Sequence, residues 1–116
     1  MTESEFYQNE IKPLLKKRRV AFCRVELFGL PDIYVARDNK VLWIELKCLG
    51  KRSKLVKPQW RLGQLAWIKY QNLFGNDNIY LALKYVNKTY FLMPRETYLE
   101  SELNCQKEVF FERLKI

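Results

Sequence analysis

The stretch 29–47, GLPDIYVARDNKVLWIELK, constrains this chain more than any other. Residues 32–36 and 41–47 both read as strands, and Arg37-Asp38-Asn39-Lys40 between them carries turn formers at its centre. With Asp38-Asn39 as a two-residue hairpin loop, Arg37 faces Lys40 and opposed residue numbers sum to 77. Asp32 then faces Glu45. Side chains alternate along a strand, so Asp32, Glu45 and Lys47 share one face. Ile33, Val35, Leu42, Ile44 and Leu46 share the other, which is a core face.

Opposed residues of an antiparallel pair hold their Cβ atoms about 4.5–5.5 Å apart. Two carboxylates that close repel unless a proton or a cation lies between them. A hard divalent cation suits the geometry, since Mg²⁺ takes one or two carboxylates together with substrate phosphate. A lysine two residues further on can orient or deprotonate a water, or stabilise charge developing on a phosphate. An isolated Glu-x-Lys is ordinarily a surface ion pair. Here the register supplies a second acid, and Pro31 precedes it, which favours a metal site.

Pro31-Asp32, followed after a short hairpin by Glu45-Leu46-Lys47, resembles the PD-(D/E)XK nuclease superfamily. Within it the chain is most similar to the small Holliday-junction-resolvase-like and VRR-NUC-type nucleases of viruses, bacteria and archaea, from the first helix to about Met93. The resemblance implies that Asp32 and Glu45 hold Mg²⁺ or Mn²⁺, with the Leu46 carbonyl as a third ligand and Lys47 as the catalytic lysine. Related nucleases often place an acid on the first helix near the metal. Matching the apolar stripe puts that position at Gln8, a departure from the pattern. Either Gln8 substitutes, holding a metal-bound water through its amide, or Glu5 or Glu10 reaches the site; Gln8 and Glu5, on a shared face, are preferred. The segment 62–67, LGQLAW, resembles the helix after the ExK strand whose glutamine points at the metal or the attacked phosphate. Gln64 is the candidate and Gln59 the runner-up.

The absence of histidine excludes histidine metal sites, Ser-His-Asp triads and histidine bases. Cys23, Cys48 and Cys105 are not clustered, which argues against zinc, and their odd count favours a reducing compartment. A length of 116 residues suits a single domain spanning 1–116. No apolar run approaches membrane-spanning length, and the acidic MTESEFYQNE lacks a signal-peptide core, so the expectation is a cytoplasmic protein. The resemblance adds a bacterial or phage-infected cell. A net charge of +8 favours a polyanionic partner, most simply nucleic acid.

Along the chain, 2–19 reads as a helix capped by Thr2 or Ser4, with Tyr7, Ile11, Leu14 and Leu15 as its apolar stripe. Pro13 either kinks or breaks it. It ends in Lys16, Lys17, Arg18 and Arg19, which either contact phosphates or form a solvated last turn. Residues 20–27 form a strand. Residues 48–58 read as a basic loop that puts Lys51, Arg52, Lys54 and Lys57 beside a nucleic-acid backbone. Residues 59–74 form a second helix, started by Pro58 and ended by Gly75, that buries Leu62, Leu65, Trp67, Ile68 and Leu73. Arg61 joins the phosphate-binding set, and the tryptophans belong to the core. Strands at 79–86 and 89–93 make a hairpin around Asn87-Lys88. The tail has a short helical piece at 95–103 and an apolar end at 109–116, where Phe110 and Phe111 complete the core or form a dimer contact.

The expected fold is α/β (α+β mixed): a central four- to five-stranded mixed sheet flanked by helices, restriction-endonuclease-like. The expected activity is metal-dependent endonucleolytic hydrolysis of DNA. The family most resembled cuts four-way junctions as a homodimer, which implies a Holliday junction resolvase acting in DNA recombination and repair. Two alternatives stand beside it: a nuclease of the same superfamily acting on linear, flap or foreign DNA, and a non-catalytic nucleic-acid-binding protein of the same fold.

Overall fold

The computed structural model describes residues 1–27, 29–104 and 111–112. The chain opens with helix α1 (Glu3–Phe6), a π-helical turn (Tyr7–Ile11) and helix α2 (Lys12–Arg18), which follow one another without a break. Thr2 caps α1: its hydroxyl accepts the Glu5 N–H at 3.1 Å, and the Glu5 carboxylate accepts the Thr2 N–H at 3.3 Å. Pro13 lacks an N–H, and its ring would press on the carbonyl four residues back. The wide turn before it, closed by the Lys12 N–H on the Tyr7 carbonyl, gives room for the ring, so the helix continues instead of breaking.

Strands β1 (Ala21–Arg24), β2 (Ile33–Arg37) and β3 (Lys40–Leu49) form an antiparallel meander. A short strand β4 (Leu55–Val56) and helix α3 (Gln64–Leu73) carry the chain across to β5 (Ile79–Tyr85), which lies parallel to β3; β6 (Lys88–Leu92) pairs antiparallel with β5. The five-stranded sheet has the order β1-β2-β3-β5-β6. Strand β7 (Tyr98–Leu99) pairs with β4 in a separate two-stranded sheet and leads into a 3₁₀ turn (Glu100–Glu102). This is the mixed sheet with flanking helices that the sequence leads one to expect.

The central hairpin has the expected register, with Arg37 opposite Lys40 and Ile33 opposite Ile44. Asp38 and Asn39 both take positive φ (50° and 65°), the conformation a tight two-residue hairpin loop demands. One sheet face, made by Ile33, Val35, Leu42, Ile44, Leu46, Ala82 and Phe91, packs against Phe6, Tyr7, Ile11 and Leu15 of the first helical segment. Phe111 is fully buried there, its ring 5.5 Å from that of Phe91, so it completes the core; Phe110 and the other residues of 105–110 and 113–116 lie outside the described residues. The opposite face, Leu81, Leu83, Tyr85 and Leu92, meets Val56 and Tyr98. Strand β3 is therefore covered on both sides.

Several elements differ from the sequence expectation. β1 is shorter than 20–27. β3 runs on to Leu49, and part of the expected loop 48–58 forms β4. The second helix starts at Gln64, not at residue 59, because Gly63 adopts φ +89°, where a helix cannot pass and few other residues can sit. On α3 only Gln64 and Ile68 are buried; Leu62 and Leu73, expected in the core, are 86% and 77% exposed. The expected helix at 95–103 is replaced by β7 and the 3₁₀ turn. Tyr98 is buried, and its hydroxyl bonds the Met93 carbonyl and the Arg95 N–H, which holds the backbone extended. The second hairpin turns at Val86-Asn87, one residue earlier than expected, since Tyr85 pairs with Lys88. The Val86 N–H bonds Leu49 O at 2.8 Å and pins that turn.

Val86 has φ +56°, a region that β-branched side chains resist. Val86→Asn, which tolerates that conformation, should stabilise the fold by about 0.5–1 kcal/mol in denaturant unfolding.

Candidate active site

The hairpin register sets Asp32 beside Glu45, immediately before β2 begins. The Leu46 N–H donates to Asp32 Oδ2 at 2.8 Å, and the Val25 N–H donates to the Asp32 carbonyl at 2.7 Å, so both strands flanking Asp32 help to place it. By the same register Pro31 falls opposite Leu46. Residue 46 turns its N–H and its carbonyl to the same side of the strand, and a proline there has no N–H to offer that carbonyl.

Helix α3 lies over the face that carries Glu45 and Lys47. Trp67 packs edge-on to Trp43 (5.7 Å between centroids), and Trp43 packs in the same way on Tyr34 (5.4 Å). Ile68 anchors the helix one turn after Gln64. This brings Gln64 down onto the site. Its amide nitrogen donates to Glu45 Oε2, and its amide oxygen accepts both Lys47 Nζ at 3.0 Å and the Arg61 N–H at 2.7 Å. Lys47 Nζ also lies 3.4 Å from Glu45 Oε2. Glu45, Lys47 and Gln64 are the buried polar side chains among the described residues, at 1%, 4% and 7% exposure. A bland surface ion pair is ruled out by those figures.

Glu45 Oε1 is buried and has no hydrogen-bond partner among the described residues. Burial, first, raises the Glu45 carboxyl from 4.5 to about 9; the neighbouring Asp32 carboxyl adds to the rise, and Lys47 opposes it. An oxygen pair of this kind, one of its atoms unsatisfied and with a second carboxylate alongside, has the donor chemistry of a hard divalent cation. Among the described residues no three acid or thiol side chains converge closely enough to form a complete cage.

A cleft of about 330 Å³ opens at Asp32 and Gln64, walled by Glu3, Arg24, Glu26, Leu27 and Arg61. Arg24 is held with its guanidinium 4.9 Å above the Tyr7 ring. Asp32, Glu45, Lys47 and Gln64 are thus brought together, with Leu46 on the strand between them. The other expected first-helix groups are not. Glu5 is exposed and committed to the Thr2 cap; Gln8 is exposed on the π-helical turn and does not line the cleft. Glu10 pairs with Lys84 at 2.7 Å and with the Thr89 hydroxyl at 2.9 Å, on the opposite face of the sheet. Gln59 is exposed. The first-helix acid that does reach the cleft is Glu3, which is not among the acids expected from the sequence. Its signal was present: it lies three and four residues before Phe6 and Tyr7, on the buried stripe.

The basic residues fall in two groups. Lys51, Lys54, Lys57 and Arg61 are exposed near the β4 end of the molecule, while Arg52 is held by Glu100 through a two-pronged contact at 3.1 and 3.2 Å. At the end of α2, Lys16, Lys17 and Arg19 are exposed, and Arg18 places its guanidinium 5.2 Å over the Phe111 ring.

No protein-family model matches the chain, and no curated protein sequence matches it. Among solved structures it is similar to Hjc of Archaeoglobus fulgidus, a Holliday junction resolvase from an archaeal hyperthermophile. The TM-score is 0.61, with 88% of each chain covered and 20% sequence identity. The fold is that of this resolvase. Among the described residues no helix is long and apolar enough to cross a membrane.

The raised Glu45 carboxyl has a consequence for stability. Between its unfolded value of 4.5 and its folded value of about 9, the metal-free fold retains a proton that the unfolded chain has lost. The associated stability is full below the lower value and is lost as pH rises through the upper one. In chelator, the melting temperature should fall between pH 5 and pH 9 relative to that of Glu45→Gln; parallel curves for the two proteins would contradict this.

Proposed function

We propose that this chain is a metal-dependent DNA endonuclease, selective for branched DNA in the manner of a Holliday junction resolvase. The observation that carries the reading is the buried Glu45 carboxylate, one oxygen unsatisfied, beside Asp32 and Lys47 on a resolvase fold. Asp32, Glu45 and the Leu46 carbonyl would hold Mg²⁺ or Mn²⁺, with Glu3 the nearest first-helix acid. When bound there, such an ion polarises a phosphate and lowers the pKa of a water.

The protein groups do the rest. Gln64 fixes Glu45 Oε2 and so leaves Oε1 for the ion, and it aims the Lys47 ammonium. Lys47 sits where it can orient the attacking water or stabilise charge on the phosphate. Arg24 and Arg61, on the cleft walls, fit the phosphate on either side of the cut. Lys51, Lys54 and Lys57 hold the flanking backbone without reading bases, with the α2 terminus a second contact of the same kind. The exposed apolar surface of Leu62, Tyr70, Leu73 and Phe74 supports a homodimer built through the outer face of α3. Two-fold symmetry would then match a two-fold junction.

The incomplete acidic cage favours one rival, a DNA-binding protein of this fold that does not cut. A labelled four-way junction, linear duplex and flap DNA, each with Mg²⁺ or Mn²⁺, separate the readings. Wild type should nick the junction in symmetrical pairs, and Glu45→Ala and Lys47→Met should each lower the rate by about 100-fold or more. Cutting of linear or flap DNA alone keeps the chemistry and removes the junction. Tight binding without cleavage in either metal supports the rival.

A further inference from the structure

We propose that Trp60 is a positioning residue for Lys47 and thereby sets the rate of the hydrolysis proposed above, on which this inference rests. The Lys47 ammonium is held from three sides. Gln64 Oε1 accepts from it at 3.0 Å, Glu45 Oε2 lies at 3.4 Å, and the Trp60 ring lies beneath it with its centroid 5.5 Å away. Trp60 is itself fixed: its indole N–H donates to the Arg95 carbonyl at 2.9 Å, its backbone N–H bonds the Pro58 carbonyl at 3.1 Å, and the ring packs on the cluster of Val56, Leu81, Leu83 and Tyr98.

A ring suits this place for a chemical reason. A buried ammonium has lost its water, and an aromatic face returns part of that loss. The ring offers no lone-pair acceptor, so with one Lys47 donor on Gln64 and Glu45 paired by charge at 3.4 Å, donor capacity stays available to water or phosphate. An acid in the same place would take up that capacity, and an aliphatic side chain would leave the flexible four-carbon stem free on this side. The connector before α3 delivers Trp60 to Lys47.

The test compares Trp60→Phe, which keeps an aromatic face, with Trp60→Leu, which does not, in junction cleavage. The leucine variant should lose about tenfold in kcat with KM and junction affinity in Ca²⁺ unchanged, and the phenylalanine variant should keep most of the rate. Equal loss in both, or no loss in either, would overturn the proposal. A second readout needs no activity: in chelator, Trp60→Leu should lower the melting temperature less in a Lys47→Met background than in wild type, and equal drops would overturn the contact. If wild type cuts no DNA, the nuclease reading fails while this thermal cycle still decides the contact. If the leucine variant does not fold, protein carrying 5-fluorotryptophan keeps the shape with a weaker ring face, and its cleavage should be about twofold slower; an unchanged rate would overturn the proposal.

Discussion

The Glu45 carboxylate lies on a strand covered on both faces, out of reach of water, and an isolated charge in that place costs several kcal/mol (roughly). The polar groups around it are best understood as compensation. Gln64 and Lys47 satisfy one oxygen, Asp32 stands beside it as a like charge, and the other oxygen is left without a donor. Among the described residues Lys47 is the buried cation beside them, and the pair of acids still needs a proton or a further cation. The fold therefore keeps, at its centre, an arrangement that is worse for stability than apolar side chains would be. Such an arrangement is expected where chemistry is done.

That arrangement depends on backbone register. A slip of one residue in the β2–β3 hairpin would turn Glu45 and Lys47 toward the first helical segment and bring Ile44 and Leu46 under α3. The two-residue loop at Asp38-Asn39 prevents it, and the five apolar residues on the opposite face reinforce it by their burial. The parallel pairing of β3 with β5 then requires a crossover, and that crossover carries Trp60 and Gln64 to the site. The strand that bears the acids and the connection that covers them are consequences of one topology.

The hairpin, its register and the shared face of Asp32, Glu45 and Lys47 are legible in the sequence because they follow from local rules: loop length fixes facing residues, and alternation fixes faces; Gln64, on a helix that local rules do not dock, is legible only through the family resemblance. Other features follow from tertiary packing. Residues 59–63 read as the first turn of a helix, yet the packing of the partly buried Trp60 and the left-handed Gly63 keep them out of it. Leu62 and Leu73 look like core residues, but both are exposed, as are Tyr70 and Phe74. Glu3 is not legible from a stripe that begins at Tyr7, because the buried stripe includes Phe6 and extends back to the first turn. The tail reads as helix at 95–103 by composition, and the buried Tyr98 decides for a strand.

Calorimetric titration of the metal-free protein with Mn²⁺ near pH 7.5, in buffers of differing ionisation heat, tests the central claim most directly. The account predicts one ion bound per chain with the release of about one proton, from Glu45, and loss of both in Glu45→Gln. Absence of binding, or binding and proton release unchanged by that substitution, would contradict it.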